Sequence, residues 1–187
     1  ITPDELKEID SYCKENFIDF VPSLSCFGHL YELLTSEKYK HLCEIENFEQ
    51  DSHFWRERMR HHTIDPTDER SFELIKSLID QYVPNFTSDK FNICCDETFD
   101  LGAGKNAGKD KGRLYVDFVR KIVDYVKSKG KTPMMWGDVI IKHADLIDDI
   151  GDGIIYLSWG YSKDEKPDAV NKVRDAGKHQ YVCPGLN

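Results

Sequence analysis

Apolar positions along this chain alternate between helical spacing and short continuous runs. The clearest helical pattern ends before Gly130, a residue type that favours the position just past a helix. Its apolar face consists of Tyr115, Phe118, Val119, Ile122 and Val126. At the start of the chain, Thr2-Pro3-Asp4-Glu5 has the order of a capping box and predicts a first helix. Other helical patterns occupy residues 65–82, 139–148 and 165–176.

Five short apolar runs rich in strand-forming residues separate these helices. The runs are residues 17–24, 90–95, 132–136, 154–158 and 179–183. No hairpin signal joins any two of them, so we expect parallel strands linked by helical crossovers. An open doubly wound sheet and an eight-stranded barrel both fit this order.

Polar and aromatic side chains near the ends of four runs favour the barrel. They are His29, Asp96 with Glu97, Trp136 with Asp138, and Trp159 with Tyr161. An open sheet gathers its ligand groups at one switch point, whereas a barrel brings them together from many strand ends. Since a complete barrel needs eight strands over about 250 residues, we expect residues 1–187 to form a single, incomplete (β/α)8 barrel domain with about five parallel strands.

The adjacent carboxylates Asp96 and Glu97 are the sharpest chemical signal. Acid pairs are common on protein surfaces, but this pair ends a buried-type strand and occurs at the level of the aromatic strand ends. Because the backbone turns where a strand ends, both side chains can point into one pocket. Such a pair suits a reaction that needs one proton donor and one fixed negative charge.

Trp136 and Trp159, with Tyr161, predict the walls of that pocket. Strand-end tryptophans often only fill a core, but two of them, each followed by glycine, are typical of a walled site. Flat aromatic faces pack against sugar rings and small methyl groups. Carboxylates and aromatics together therefore indicate a carbohydrate site. His29, at a strand-to-helix turn, is either a structural histidine or part of this site.

Composition excludes several other classes of function. The net charge is −9 with no basic stripe, which argues against nucleic acid, and no apolar run is long enough to span a membrane. The histidines His53, His61 and His62 lack a metal-ligand spacing, so neither a metal nor a cofactor is expected. The glycine-rich loop 98–112 lacks the spacing of a phosphate loop and is interpreted as a lid. Six unpatterned cysteines and no visible signal peptide favour free thiols and a cytoplasmic rather than secreted location.

With these residues assembled, the chain resembles glycoside hydrolase family 20, the β-N-acetylhexosaminidases. Gly28-His29 matches the end of the family's third strand, and Asp96-Glu97 matches the end of its fourth. Residues 134–138 and 157–161 resemble the fifth and sixth strand ends, so the five runs resemble strands 3 to 7 of a TIM barrel. One departure is Cys94-Cys95, where the family usually has two glycines.

The resemblance implies a retaining, substrate-assisted hydrolysis of terminal N-acetylglucosamine or N-acetylgalactosamine β-glycosides. Glu97 would be the general acid and then the base, and Asp96 would orient the substrate's 2-acetamido group. That group would attack the anomeric carbon and form an oxazolinium intermediate. The substrate-binding residues implied are His29, Trp136, Asp138, Trp159 and Tyr161.

Two other functions remain open from the residues alone. One is a glycosidase of another barrel family with an enzyme-borne nucleophile, and the other is a carbohydrate-binding barrel without catalysis. In the family, the barrel strands other than strands 3 to 7 carry further binding residues. Residues 1–187 alone are therefore expected to lack part of the site. Strand edges left open are also expected to promote self-association.

Overall fold

A computed structural model describes residues 1–46, 62–161 and 168–185. Four parallel strands form one sheet in the order of the chain: β1 Lys90–Asn92, β2 Thr132–Trp136, β3 Ile155–Gly160 and β4 His179–Pro184. The helices are α1 Pro3–Glu15, α2 Tyr31–Leu34, α3 Glu69–Tyr82, α4 Lys111–Ser128 and α5 Asp168–Asp175. Segments of 3-10 helix cover Lys40–Leu42, Val83–Asn85 and Ile140–Ile150.

The strand order distinguishes a barrel segment from a doubly wound sheet. Each strand pairs with the next one along the chain, and the connections run through α4, Ile140–Ile150 and α5 in turn. A doubly wound sheet reverses its order at a switch point, and the described strands contain no such reversal. The sheet is therefore consistent with part of an α/β barrel, as the sequence predicts.

The run 17–24 differs from the predicted strand. It meets the sheet at one parallel bridge, between Ser23 and Asn92 of β1. The amide of Asn92 donates to the Pro22 carbonyl at 2.9 Å. Earlier in the run Phe17 has a φ of 59°, which is incompatible with an extended strand, and the Pro22 ring carries no N–H for a ladder. Only the end of this predicted strand therefore joins the sheet.

Two predicted capping signals define helix ends, whereas the helix predicted from residue 65 begins only at Glu69, after the N-cap Asp68. The Glu5 amide donates to Thr2 Oγ1 at 3.3 Å and the Thr2 amide donates to Glu5 Oε2 at 2.6 Å, which completes the capping box of α1. Gly130 follows α4 with a φ of 73°. The predicted helix 139–148 is a 3-10 segment with a kink at His143. None of the helices in the described ranges is both long and apolar enough to cross a membrane.

Alternate strand residues pack on opposite faces of the sheet, as its pleat requires. Met135 and Tyr156 point towards the helices and join the main core with the buried face of α4. Met134, Ile155 and Leu157 point the other way and form a small second cluster, against which Trp136 and Cys183 pack. The second face leads directly to the carboxyl-terminal edge of the sheet, where the predicted site residues lie.

Candidate active site

A cavity of about 360 Å³ opens at the carboxyl-terminal edge of the sheet. Six of the seven predicted site residues line it: His29, Asp96, Glu97, Trp136, Trp159 and Tyr161. The rest of the lining comes from the end of β4 and was not predicted: Cys183, Pro184 and Gly185. The Pro-Gly pair that ends the last strand was the available signal, because such a turn exposes the strand end.

His29 contacts both carboxylates of the acid pair. Its Nε2 lies 3.1 Å from Asp96 Oδ2 and 3.3 Å from Glu97 Oε2. The hydrogen bond to Asp96 raises the pKa of His29, with smaller contributions from the charges of Glu97 and Asp138 and a partial offset from burial. Burial is also the main cause that raises the pKa of Glu97. The charge of His29 partly offsets this effect, and the negative charges of Asp96 and Asp138 add to it. Glu97 therefore keeps its proton to a higher pH than an isolated glutamate does.

The backbone before and at the acid pair has an uncommon conformation that points both acids into the cavity. Cys94, Cys95 and Glu97 have φ values of 59°, 62° and 47°, in the left-handed region that glycine prefers. Both cysteines therefore adopt, with side chains, a backbone conformation that glycine adopts without strain. Such strain persists only where neighbouring groups hold the backbone.

Three groups from neighbouring elements hold this turn. The Trp136 amide donates to the Cys94 carbonyl at 3.0 Å, and the Tyr115 hydroxyl donates to the Cys95 carbonyl at 2.8 Å. The Glu97 amide donates to Asp138 Oδ2 at 3.0 Å. Asp138 is not among the residues that line the cavity. It lies behind Glu97 and supports that residue's backbone, and its burial raises its own pKa.

Gly28 allows the segment that carries His29 to approach the acid pair closely. A Cβ atom at this position would lie 2.3 Å from the Asp96 carbonyl oxygen, well inside van der Waals contact. The glycine therefore permits His29, the next residue, to reach both carboxylates. His29 itself has a φ of 58°.

His62 is a site component that the sequence analysis weighed only as a metal ligand. It is 2% exposed, and its Nδ1 accepts a hydrogen bond from the His29 amide at 2.8 Å. Burial lowers the pKa of His62 to about 4, and the nearby His29 adds to this effect. The neighbouring His53 and His61 lie outside the described residues.

Three aromatic residues line the cavity together with the carboxylates. The rings of Trp159 and Tyr161 lie 5.3 Å apart, and the Tyr161 side chain packs closely on the backbone of Gly185. Trp136 is half-buried at the end of β2. The cavity lining therefore combines carboxylates with aromatic rings, which is the combination predicted for a sugar site.

The loop predicted as a lid is anchored instead. Glu44, fully buried, accepts hydrogen bonds from the Gly104 amide at 3.3 Å, the Asn106 amide at 3.0 Å and the Asn106 side chain at 2.6 Å. The same side chain of Asn106 donates to Asp65 at 2.8 Å. These bonds fix the middle of the loop, so we interpret it as a support for the segment that follows Glu97.

One group in the described part of the chain has ligand atoms close enough to hold a metal: His29, Asp96 and Glu97, whose atoms lie within 4.8 Å of one another. The contacts between the imidazole and the two carboxylates already account for this arrangement. We assign no metal here, and the expected absence of one stays a prediction.

Comparison with known protein families matches this chain to one family over almost its whole length. The family model described as glycosyl hydrolase family 20, catalytic domain, matches residues 1–185. Hexosaminidase D of Bos taurus is 26% identical to the chain over 149 residues, which cover 74% of this chain and 40% of that protein. The chain thus spans less than half the length of this curated relative.

Solved structures give the same result for the fold. The X-ray structure of a chitobiase from Flavobacterium johnsoniae has a TM-score of 0.76 and 22% identity, covering 97% of this chain and 28% of that one. A β-N-acetylhexosaminidase from Bacteroides fragilis has a TM-score of 0.75 and 20% identity, covering 99% and 36%. At these identities the likeness establishes the fold, and the predicted partial TIM barrel is confirmed.

Proposed function

Because the chain belongs to glycosyl hydrolase family 20, we propose that the protein containing it is a retaining β-N-acetylhexosaminidase. Its substrates would be glycosides that end in a β-linked N-acetylglucosamine or N-acetylgalactosamine. The observation that carries the proposal is that two consecutive carboxylates, Asp96 and Glu97, line one cavity together with three aromatic residues.

Glu97 is the general acid of the proposed reaction. Its raised pKa, caused mainly by burial, keeps a proton on the carboxyl group at a higher pH than usual. The residue protonates the leaving oxygen and, once ionised, activates the water that completes hydrolysis. The imidazole of His29, 3.3 Å away, stabilises the ionised carboxylate between these two steps when it carries a proton.

The nucleophile is the acetamido oxygen of the substrate rather than a second carboxylate. In a two-carboxylate retaining enzyme, the acid and the nucleophile flank the sugar from opposite sides. Asp96 and Glu97 are consecutive, and both contact the same imidazole nitrogen. They therefore approach a bound sugar from one side, which leaves the opposite side of the anomeric carbon to a group of the substrate itself.

Asp96 orients this group. A carboxylate accepts the acetamido N–H, which aligns the carbonyl oxygen for attack and stabilises the positive charge that develops on the oxazolinium ring. Trp136 and Trp159 enclose the acetamido methyl group, and Tyr161 donates to its carbonyl oxygen. His29 positions both acids, and Asp138 holds the backbone of Glu97.

The test compares two aryl β-glycosides that differ only at carbon 2, one with an acetamido group and one with a hydroxyl group, in the full-length protein. We expect strong preference for the acetamido sugar. Equal rates would point to an enzyme-borne nucleophile, and sugar binding without turnover would favour a non-catalytic barrel.

Asp96→Asn adds a residue-level test of the same mechanism. The variant should hydrolyse the acetamido sugar much more slowly and melt like the wild type. Asp117→Asn, which changes an exposed carboxylate on α4, is the matched control. An Asp96→Asn protein that unfolds would make Asp96 a structural residue, and one with wild-type turnover would exclude its role in orientation.

A further inference from the structure

His62 lies directly behind the histidine that contacts both acids. The backbone amide of His29 points at its Nδ1 at a distance of 2.8 Å. A backbone amide can only donate a hydrogen bond, so Nδ1 must carry no proton. The ring of His62 is therefore neutral, with its proton on Nε2.

The backbone of His62 is fixed from two directions. Its amide donates to Asp100 Oδ2 at 3.0 Å, and its carbonyl accepts from the Leu30 amide at 3.0 Å. Asp100 follows the acid pair in the chain, and Leu30 follows His29. His62 thus connects the two segments whose side chains meet at the carboxylates.

The histidine ring carries a feature that a core residue would not need. Its Nε2 has no hydrogen-bond partner within the described residues, although the side chain is buried. An apolar side chain of similar size would fill the same space without burying a polar ring nitrogen. Compared with an apolar side chain, the histidine provides one further group, the hydrogen-bond acceptor at Nδ1.

That acceptor acts on a strained residue. His29 has a φ of 58°, a conformation that a residue with a side chain adopts only when its surroundings hold it. From this conformation its Nε2 lies 3.1 Å from Asp96 and 3.3 Å from Glu97. A change in the His29 backbone would move the imidazole relative to both acids.

We propose that neutral His62 is a positioning residue, which through its unprotonated Nδ1 holds His29 in the conformation that contacts Asp96 and Glu97. The inference rests on the proposed function, because the position of His29 affects turnover only if the acid pair is catalytic. Burial, which lowers the pKa of His62 to about 4, keeps the ring neutral in the pH range where hydrolysis by Glu97 is expected.

Two amide variants of the full-length protein separate positioning from space filling. In His62→Asn the side-chain oxygen falls near the place of Nδ1, whereas in His62→Gln it falls near the place of Nε2. We expect the asparagine variant to keep most of the wild-type kcat and the glutamine variant to lose at least about tenfold, as misplaced catalytic groups do. His62→Phe, which has no acceptor, should behave like the glutamine variant.

A second readout does not depend on turnover. In protein with labelled histidine, NMR should show the Nε2-protonated form of His62, and the titration midpoint of His29 should fall in the Gln and Phe variants but not in Asn. Equal kcat and equal His29 midpoints in the Asn and Gln variants would overturn the proposal, and so would a protonated Nδ1 in the wild type. If the wild type turns over no substrate, the proposed function fails and the His29 midpoints alone decide the positioning role.

Discussion

Replacement of Gly28 by alanine tests the packing of this site most sharply. The added Cβ would lie 2.3 Å from the carbonyl oxygen of Asp96, whereas ordinary contacts begin at 3.4 Å. The obstacle is backbone and cannot rotate away, so the two segments must separate by roughly 1 Å. We expect kcat to fall by about a hundredfold, the effect of a displacement of about 1 Å at a reacting centre. Stability should fall by about 1–3 kcal/mol, as in other overpacked sites.

Gly137→Ala is the matched control for this prediction. Gly137 lies between two site residues of β2 and its loop, but a Cβ there would meet its nearest atom, the Leu157 carbonyl oxygen, at 3.6 Å. The assay is kcat with an aryl 2-acetamido-β-glycoside, together with urea unfolding of each variant. A Gly28→Ala protein with near-wild-type kcat, or equal losses in both variants, would refute the argument from close approach.

Three other predictions concern the titrating groups of the site. Glu97→Gln should lower kcat at least about a hundredfold with an unchanged circular dichroism spectrum; near-wild-type kcat would place the acid elsewhere. Because burial raises the pKa of Glu97, the basic limb of kcat/KM against pH should lie above 4.5, the usual value, and a limb at 4.5 would contradict this. Burial lowers the pKa of His62 from 6.5 to about 4, so the unfolded chain binds more protons than the folded protein between these values. The contribution of His62 to stability should therefore be complete above pH 6.5 and be lost as the pH falls towards 4. The unfolding free energy of His62→Asn, measured in urea, should lack this dependence on pH. The same pH dependence in the variant would exclude His62 as its source.

Local signals made much of the fold predictable. The capping box at Thr2 and the glycine after α4 each act within one helix end, so their effect can be read from a few neighbouring residues. The strand ends were predictable because parallel strands place their carboxyl ends at one edge. The cavity brings together six predicted residues for this reason.

Features that depend on distant partners were not predictable. The run 17–24 has a strand-like composition, but Phe17 turns out of the extended conformation before the sheet is reached. The role of the loop after Glu97 depends on Glu44, a buried carboxylate far away in the chain. His62 was considered only for its spacing to other histidines, whereas its contact is to a backbone amide, which no side-chain pattern reveals.

The most direct test of the central claim is a series of aryl β-glycosides whose acetamido group carries zero, one, two or three fluorine atoms. Each fluorine withdraws electrons from the carbonyl oxygen and weakens it as a nucleophile without a large change in shape. If that oxygen attacks the anomeric carbon beside Asp96 and Glu97, kcat/KM should fall steeply at each step of the series. A flat series would contradict substrate assistance and would place the nucleophile on the enzyme.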